Sequence, residues 1–308
     1  MTVALPVEIW LRILRLVVHI PHYFDTAYSD PFTDVDFNYA QMAIDEENAA
    51  KMSIVIQLVC SSWYQYGKRL KYELTETYTY QRVHELSSRL AADGSLLQLT
   101  RRLGFQDFCS GSDNLHAGLA RLTPLIKSAS NTVILTVFDP GPRPATDLDI
   151  LEDWLVSNEW DQSGIEALAI GVVAHPEHVP CIWAKTLVPL STKFTNLRTL
   201  YCTLAFAPLP GIGYSFSPIV LPKVEVLQVT WYAPEDDFTI AFDWLGTWDV
   251  PLLKNMRFNT VFRGECWSPL LRFLEPSGRT LHSLRLEVSQ IYSHLLGAST
   301  KCPLWVAT

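Results

Sequence analysis

Few residues in this chain are spaced for chemistry. His175-Pro176-Glu177-His178 and His19-Ile20-Pro21-His22 each place two imidazoles three residues apart, a spacing that suits a metal ion on a helix face. Pro176 and Pro180 break the helix in the first case and Pro21 in the second, and neither has an obvious third ligand. Gly211-Ile212-Gly213 lacks the third glycine and the following helix of a dinucleotide-binding turn. Asp236-Asp237 lacks the ligand spacing of a calcium loop. Glu152 and Asp153 are adjacent on a predicted helix and so diverge. With no G-x-S-x-G elbow and no P-loop, the expectation is a chain with no catalytic residue, no metal site and no cofactor.

Arg257 and Arg285 form the pairing with most chemical content, because a weak internal repeat brings them together. Its unit is a short strand with two inward apolar residues flanking one other. It reads Leu103-Gly104-Phe105, Leu135-Thr136-Val137, Leu168-Ala169-Ile170, Leu200-Tyr201-Cys202, Leu227-Gln228-Val229, Met256-Arg257-Phe258 and Leu284-Arg285-Leu286, at intervals of 27 to 33 residues. From the third unit on, an apolar residue precedes the doublet by three: Ile165, Leu197, Val224, Leu253 and Leu281. The resulting L-x-x-L-x-L resembles the strand portion of a leucine-rich repeat, without the regular family's asparagine ladder.

In such a repeat the middle residue of each doublet faces the concave surface. That row runs Gly104, Thr136, Ala169, Tyr201, Gln228, Arg257, Arg285; the next outward row ends Thr203, Thr230, Asn259, Glu287. Its first half is bare, and its second half carries the candidate substrate-binding residues Tyr201, Gln228, Arg257, Asn259 and Arg285. Two neighbouring guanidinium groups suit a peptide bearing carboxylate or phosphate. The alternative is two solvated arginines, one paired with Glu287.

The elements that must hold these strands follow from the segments between them. Leu115 to Ser128, Leu148 to Val156, His178 to Leu190 and Trp267 to Leu274 are predicted helical, with a kink or restart at Pro124. Ala207 to Pro222 holds four prolines and two glycines and is predicted to be an extended loop. The fold class expected is α/β, an irregular solenoid with parallel strands on its concave face and helices or loops on its convex face. A doubly wound sheet would show the same alternation; spacing near 30 residues favours the solenoid.

The N-terminal segment is different in kind. Pro6 is expected in the first turn of a helix, with Glu8 complementing the dipole. Ile9, Ile13, Leu16 and Val17 make one apolar stripe, which Trp10, Leu11 and Leu14 widen beyond what one neighbour could cover. A second helix is predicted from about Asp45 to Cys60, and Ser61 and Ser62 can cap a third carrying Trp63, Tyr66 and Leu70.

Leu5-Pro6-Val7-Glu8-Ile9 joined to Leu58-Val59-Cys60-Ser61-Ser62-Trp63 resembles an F-box, the helical module that docks onto the Skp adaptor of SCF ubiquitin ligases. A stretch of roughly 27 residues, from His19 to about Asp45, replaces the usual short loop. It is similar to the insert in F-box-like proteins of mushroom-forming fungi. The resemblance implies a non-catalytic substrate receptor, bound through Skp to a cullin and presenting its repeats to a protein substrate. Leu5, Pro6, Ile9, Ile13, Leu58, Val59 and Trp63 match the adaptor-contacting motif. The organisation expected is a helical module at 1–75 with an insert at about 19–45, a helical connector at 76–97, and the repeat region at 98–308. Two alternatives stay open: a scaffold whose F-box-like helices only cap the solenoid, and an enzyme with a site assembled from distant residues.

Composition sets the remaining bounds. A chain of 308 residues, 48% apolar and 18% charged, can bury a sizeable core. A net charge of −8 argues against nucleic-acid binding, and no apolar run is long enough to cross a membrane. Six scattered cysteines without a C-x-x-C pair read mostly as small buried hydrophobes in a reducing compartment, cytoplasm or nucleus. The ten tryptophans are expected to fill the core rather than form a sugar platform. Cys302-Pro303-Leu304 looks like the start of another repeat with no polar cap after it, so a shortened chain is expected.

Overall fold

One backbone turn recurs six times and organises the architecture. Thr100, Thr132, Ile165, Leu197, Val224 and Leu253 each donate their N–H to the carbonyl three residues earlier, at 2.9–3.3 Å. One residue further on, the chain joins a ladder. Arg101, Val133, Glu166, Arg198, Glu225, Lys254 and His282 each donate to the carbonyl of the equivalent residue one repeat earlier, at 2.7–2.9 Å. The apolar residue three before each doublet is thus the turn's buried pivot: Ile165, Leu197, Val224 and Leu253 are all buried. Asn131 and Asn196 each add a side-chain rung, donating through Nδ2 at 2.7 Å to the carbonyls of Gln98 and Ser163. Two asparagines therefore bridge successive repeats although no ladder was expected.

This computed structural model describes residues 6–18, 39–77, 79–92, 95–106, 108–109, 115–139, 144, 146–157, 160–173, 180–205, 217–232, 238–260, 267–288 and 306–307. The chain is α/β. Its strands are β1 Leu74–Thr77, β2 Arg102–Gln106, β3 Ile134–Asp139, β4 Ala167–Val173, β5 Pro180–Trp183, β6 Thr199–Ala205, β7 Val226–Tyr232, β8 Asn255–Thr260, β9 Ser283–Val288 and β10 Val306–Ala307. They form one sheet in chain order, parallel except at β4–β5 and β9–β10. The order never reverses, so the crevice of a doubly wound sheet has no counterpart among the described residues.

Helices α1 Val7–Val18, α2 Tyr39–Val59 and α3 Ser61–Glu73 precede the sheet. The others lie between strands: α4 Tyr80–Ala92, α5 Leu115–Ser128, α6 Thr146–Val156, α7 Leu187–Lys193, α8 Phe238–Leu245 and α9 Trp267–Ser277. The doublets point into a common core with these helices: Leu103, Phe105, Leu135, Val137, Leu168, Ile170, Leu200, Leu227, Val229, Met256 and Phe258 are essentially inaccessible. Each such side chain contributes about 1.5–3 kcal/mol by leaving water.

Trp154, Trp160, Trp183, Trp231, Trp244 and Trp248 fill this core as expected, whereas Trp10 and Trp63 pack among the N-terminal helices. Trp154 meets Trp160 at 5.4 Å, Trp231 meets Phe258 at 4.9 Å, and Trp244 meets Trp248 at 5.0 Å between ring centroids. The first and third pairs pack within one repeat, and the second joins β7 to β8.

Several local expectations are corrected. The sheet begins at β1, inside the stretch assigned to the helical module and connector, because Leu74–Thr77 pairs in register with Arg102–Phe105. α2 begins at Tyr39 rather than Asp45, so part of the presumed insert is helix. Pro6 stands one residue ahead of α1, its carbonyl accepting the N–H of Trp10 at 3.2 Å. Cys60, not a serine, is the N-cap of α3, with no side-chain bond. α5 runs through Pro124 as one helix. Strand β5 replaces the start of the helix predicted from His178, and α8 was not anticipated.

Candidate functional site

The three N-terminal helices bury one side and leave the other bare. On α1 the positions 10, 14 and 18 face inward: Leu14 is buried and Trp10 and Val18 are half-buried. Trp10 packs on Trp63 of α3 at 5.2 Å between ring centroids. The neighbouring stripe of Ile9, Ile13, Leu16 and Val17 is exposed, Leu16 to 74%.

On α2 the inward residues are Ser53 and Ile56. A close approach to α3 is allowed by Gly67, where a Cβ would stand 2.8 Å from the Ser53 carbonyl oxygen and 2.6 Å from Gln57 Cγ. The opposite stripe of α2, with Met52, Ile54, Val55, Leu58 and Val59, is exposed, Leu58 to 81%. Soluble proteins rarely leave so many large apolar side chains on neighbouring elements without a partner for them.

Among the residues matched to the adaptor motif, Pro6, Ile9, Ile13, Leu58 and Val59 are therefore exposed on α1 and α2 or just ahead of them. Trp63 is half-buried against Trp10 and shapes the module rather than presenting itself. Leu5 lies outside the described residues, as do the two histidine pairs, Gly211 to Gly213 and Asp236-Asp237.

The sheet brings the second set of residues together. Gly104, Thr136, Ala169, Tyr201, Gln228, Arg257 and Arg285 are direct register partners on successive strands. Tyr201, Gln228, Arg257 and Arg285 are half-buried on the face opposite the core. Asn259 is in register with Thr230 and Glu287 in the next row. That row is interrupted at β4, where β5 wedges in and pairs Val172 with Cys181.

A third feature escaped the sequence. The residues that stack one position before the strands run Glu73, Arg101, Val133, Glu166, Arg198, Glu225, Lys254 and His282, and from Glu166 to Lys254 they alternate in charge at the edge where the strands begin. Arg198 donates to Glu225 Oε1 through Nη2 at 2.7 Å and Nε at 3.1 Å, and Lys254 donates to Oε2 at 2.5 Å. Burial alone would raise the Glu225 pKa, but the bonds from Lys254 and Arg198 outweigh it and hold the carboxyl below its ordinary range. The same row begins at Glu73, whose buried carboxylate accepts from Arg15 of α1 and lies 3.9 Å from Arg101. A shallow pocket of about 310 Å³ opens beside Glu166, Arg198, Lys223 and Glu225, but Lys223 already bonds Asn196 at 2.5 Å. Arg198 and Glu225 bond to one another within its wall. Only the repeat alignment, read one position before the strand, could have exposed this row.

Nothing else has the form of a reaction centre among the described residues. No group of three or more metal-ligating side chains converges there. Glu152 bonds Lys185 at 3.1 Å, and Asp149 bonds it at 3.3 Å; Lys185 is raised, since these bonds outweigh its desolvation. Cys202 is buried, which pushes its thiol up to about 12, and Cys60 is exposed. No described helix is long and apolar enough to cross a membrane. No family model matches the chain, and neither does any curated protein or solved structure.

Proposed function

We propose that this chain is a non-catalytic substrate receptor of the F-box type. α1 to α3 dock on the Skp adaptor and through it a cullin, and a leucine-rich-repeat-like solenoid offers its strand face to a protein substrate. The observation that carries this reading is the pair of exposed apolar stripes on α1 and α2, helices whose other faces are already packed. They include Ile9, Ile13, Leu58 and Val59, the positions at which the sequence resembles the adaptor motif. The solenoid part draws support from the unreversed strand order and the repeated turn. Such a protein works in the cytoplasm or nucleus and binds neither membrane nor nucleic acid.

The test is isothermal titration of the full chain with purified Skp adaptor, beside the Ile9→Asp/Leu58→Asp variant. One-to-one binding lost in the variant, with an unchanged circular dichroism spectrum, is the expected result. A folded chain that ignores the adaptor sinks the reading. A second reading, a scaffold whose helices only cap the sheet, draws on the Arg15–Glu73 bond that ties α1 to the start of β1. It requires that same absence of adaptor binding.

A further inference from the structure

α1 and α2 together leave ten large apolar side chains exposed, from 38% at Ile13 to 81% at Leu58, although the other faces of both helices are packed. This amounts to on the order of 500–1,000 Å² of apolar surface, against about 800 Å² per partner in a standard interface. Two helices that present one apolar layer are completed by two more, as in a four-helix bundle.

Charges on the border of the α1 stripe select the partner. Glu8 and Arg12 lie one helical turn apart along it, both exposed. A glutamate four residues before an arginine ordinarily pairs with it along the helix. Here neither side chain makes a hydrogen bond or ion pair among the described residues. Lys51 shares the outer face of α2 and is already engaged within the chain. An acid and a base left open four residues apart are complementary to the same two residues running the other way. In a two-fold dimer, residue i meets j while j meets i. Antiparallel packing of α1 on its counterpart therefore sets Glu8 against Arg12 of the second copy, twice, beside Ile9 and Ile13.

We infer that the free chain pairs with a second copy of itself through these stripes, α1 antiparallel to α1 and α2 completing the layer. The inference goes beyond the adaptor reading and stands without it. A second copy covers the surface assigned to the adaptor, so the two exclude one another and the adaptor must displace the copy. The copies separate on dilution, and stability measured on dilute samples is that of the single chain.

The test is sedimentation velocity of the full chain over a rising concentration series, with a shift from one copy to two expected. Glu8→Arg and Arg12→Glu should each weaken dimerisation at least about tenfold, because like charges then face one another twice. Mixed one-to-one, these two variants should pair with each other as the unmodified chain pairs with itself, since every acid again meets a base. Lys127→Glu, on the exposed side of α5, should leave dimerisation unchanged. Circular dichroism checks that each variant keeps its fold, and the concentration series itself needs no variant. A single copy at every concentration overturns the inference. So does open-ended association, which a closed two-fold contact forbids, or a mixture of the two variants that stays apart. An adaptor titration on the same samples separates the two readings. A dimer that the adaptor does not dissociate supports the inference and overturns the receptor reading, whereas a single-copy chain that binds the adaptor does the reverse.

Discussion

Arg15, in the last turn of the first helix, donates a hydrogen bond to the buried carboxylate of Glu73, the last residue of α3. Only 7% of the Glu73 side chain is exposed, against 52% for Arg15. Removing the arginine leaves the buried anion with Arg101, at 3.9 Å, as its one ion-pair partner among the described residues. Arg15→Ala should therefore cost about 1–3 kcal/mol, and Glu73→Gln added to it should recover part of the loss. A double-mutant cycle by urea unfolding checks both; additive effects would show that the two residues are not coupled.

Position decides what an apolar residue does on α1. Ile13→Asp, on the exposed stripe, should change stability by no more than about 0.5 kcal/mol. Leu14→Ala, one residue on and buried, should cost about 2–5 kcal/mol. Thermal unfolding followed by circular dichroism distinguishes them, and a reversed ranking would mean that α1 packs through its other face.

Gly67 sets the separation of α2 and α3. A methyl group there meets the Ser53 carbonyl oxygen and the Gln57 side chain inside contact distance. Gly67→Ala should cost about 1–3 kcal/mol despite its better helix propensity. A stabilised variant in the same assay would refute the close approach.

The charge row makes stability depend on pH with a definite sign. The folded pKa of Glu225 is depressed, because bonds from Lys254 and Arg198 outweigh the effect of burial. Its contribution is fully present above the ordinary glutamate pKa and is lost as pH falls through the lower folded value. Glu225→Gln should therefore destabilise the chain at neutral pH and differ little from the unmodified protein in strong acid. Urea midpoints across that range measure it, and a constant difference would dissociate Glu225 from acid sensitivity.

Thiol labelling separates the described cysteines. Iodoacetamide at mildly alkaline pH should modify Cys60 on the native chain and spare Cys109 and Cys202, which are buried. Burial also keeps Cys202 protonated there, with its pKa near 12. Mass-spectrometric mapping reads the result, and rapid labelling of Cys202 would mean that β6 opens.

The strand face was legible because a doublet with one residue between inward positions has a single geometric solution once repeats stack. Arg257 beside Arg285 follows from alignment alone. β1 was not legible, since Leu74-Thr75-Glu76-Thr77 carries threonines where later strands carry aliphatics, and buried Thr75 and Thr77 satisfy their hydroxyls on Tyr72 and Gly104 carbonyls. α8 was hidden because Phe238–Leu245 is short and apolar nearly all round, which a period of 3.6 cannot separate from a strand. On α1 the apolar residues cover so much of the circumference that pattern alone could not say which side was packed. The Trp10–Trp63 contact decides it.

The join between α3 and β1 has no spacer: Glu73 ends the helix and Leu74 opens the strand. The helix therefore works like a threaded shaft. One alanine inserted into α3 would turn everything carried on its far end by about 100° and shift it about 1.5 Å along the axis. The azimuth between the bare stripes of α1 and α2 and the arginines of β8 and β9 is thus a count of residues in one helix. Insertions there should reset that angle in discrete increments, while the same number added to a loop on the helical side of the sheet leaves it alone.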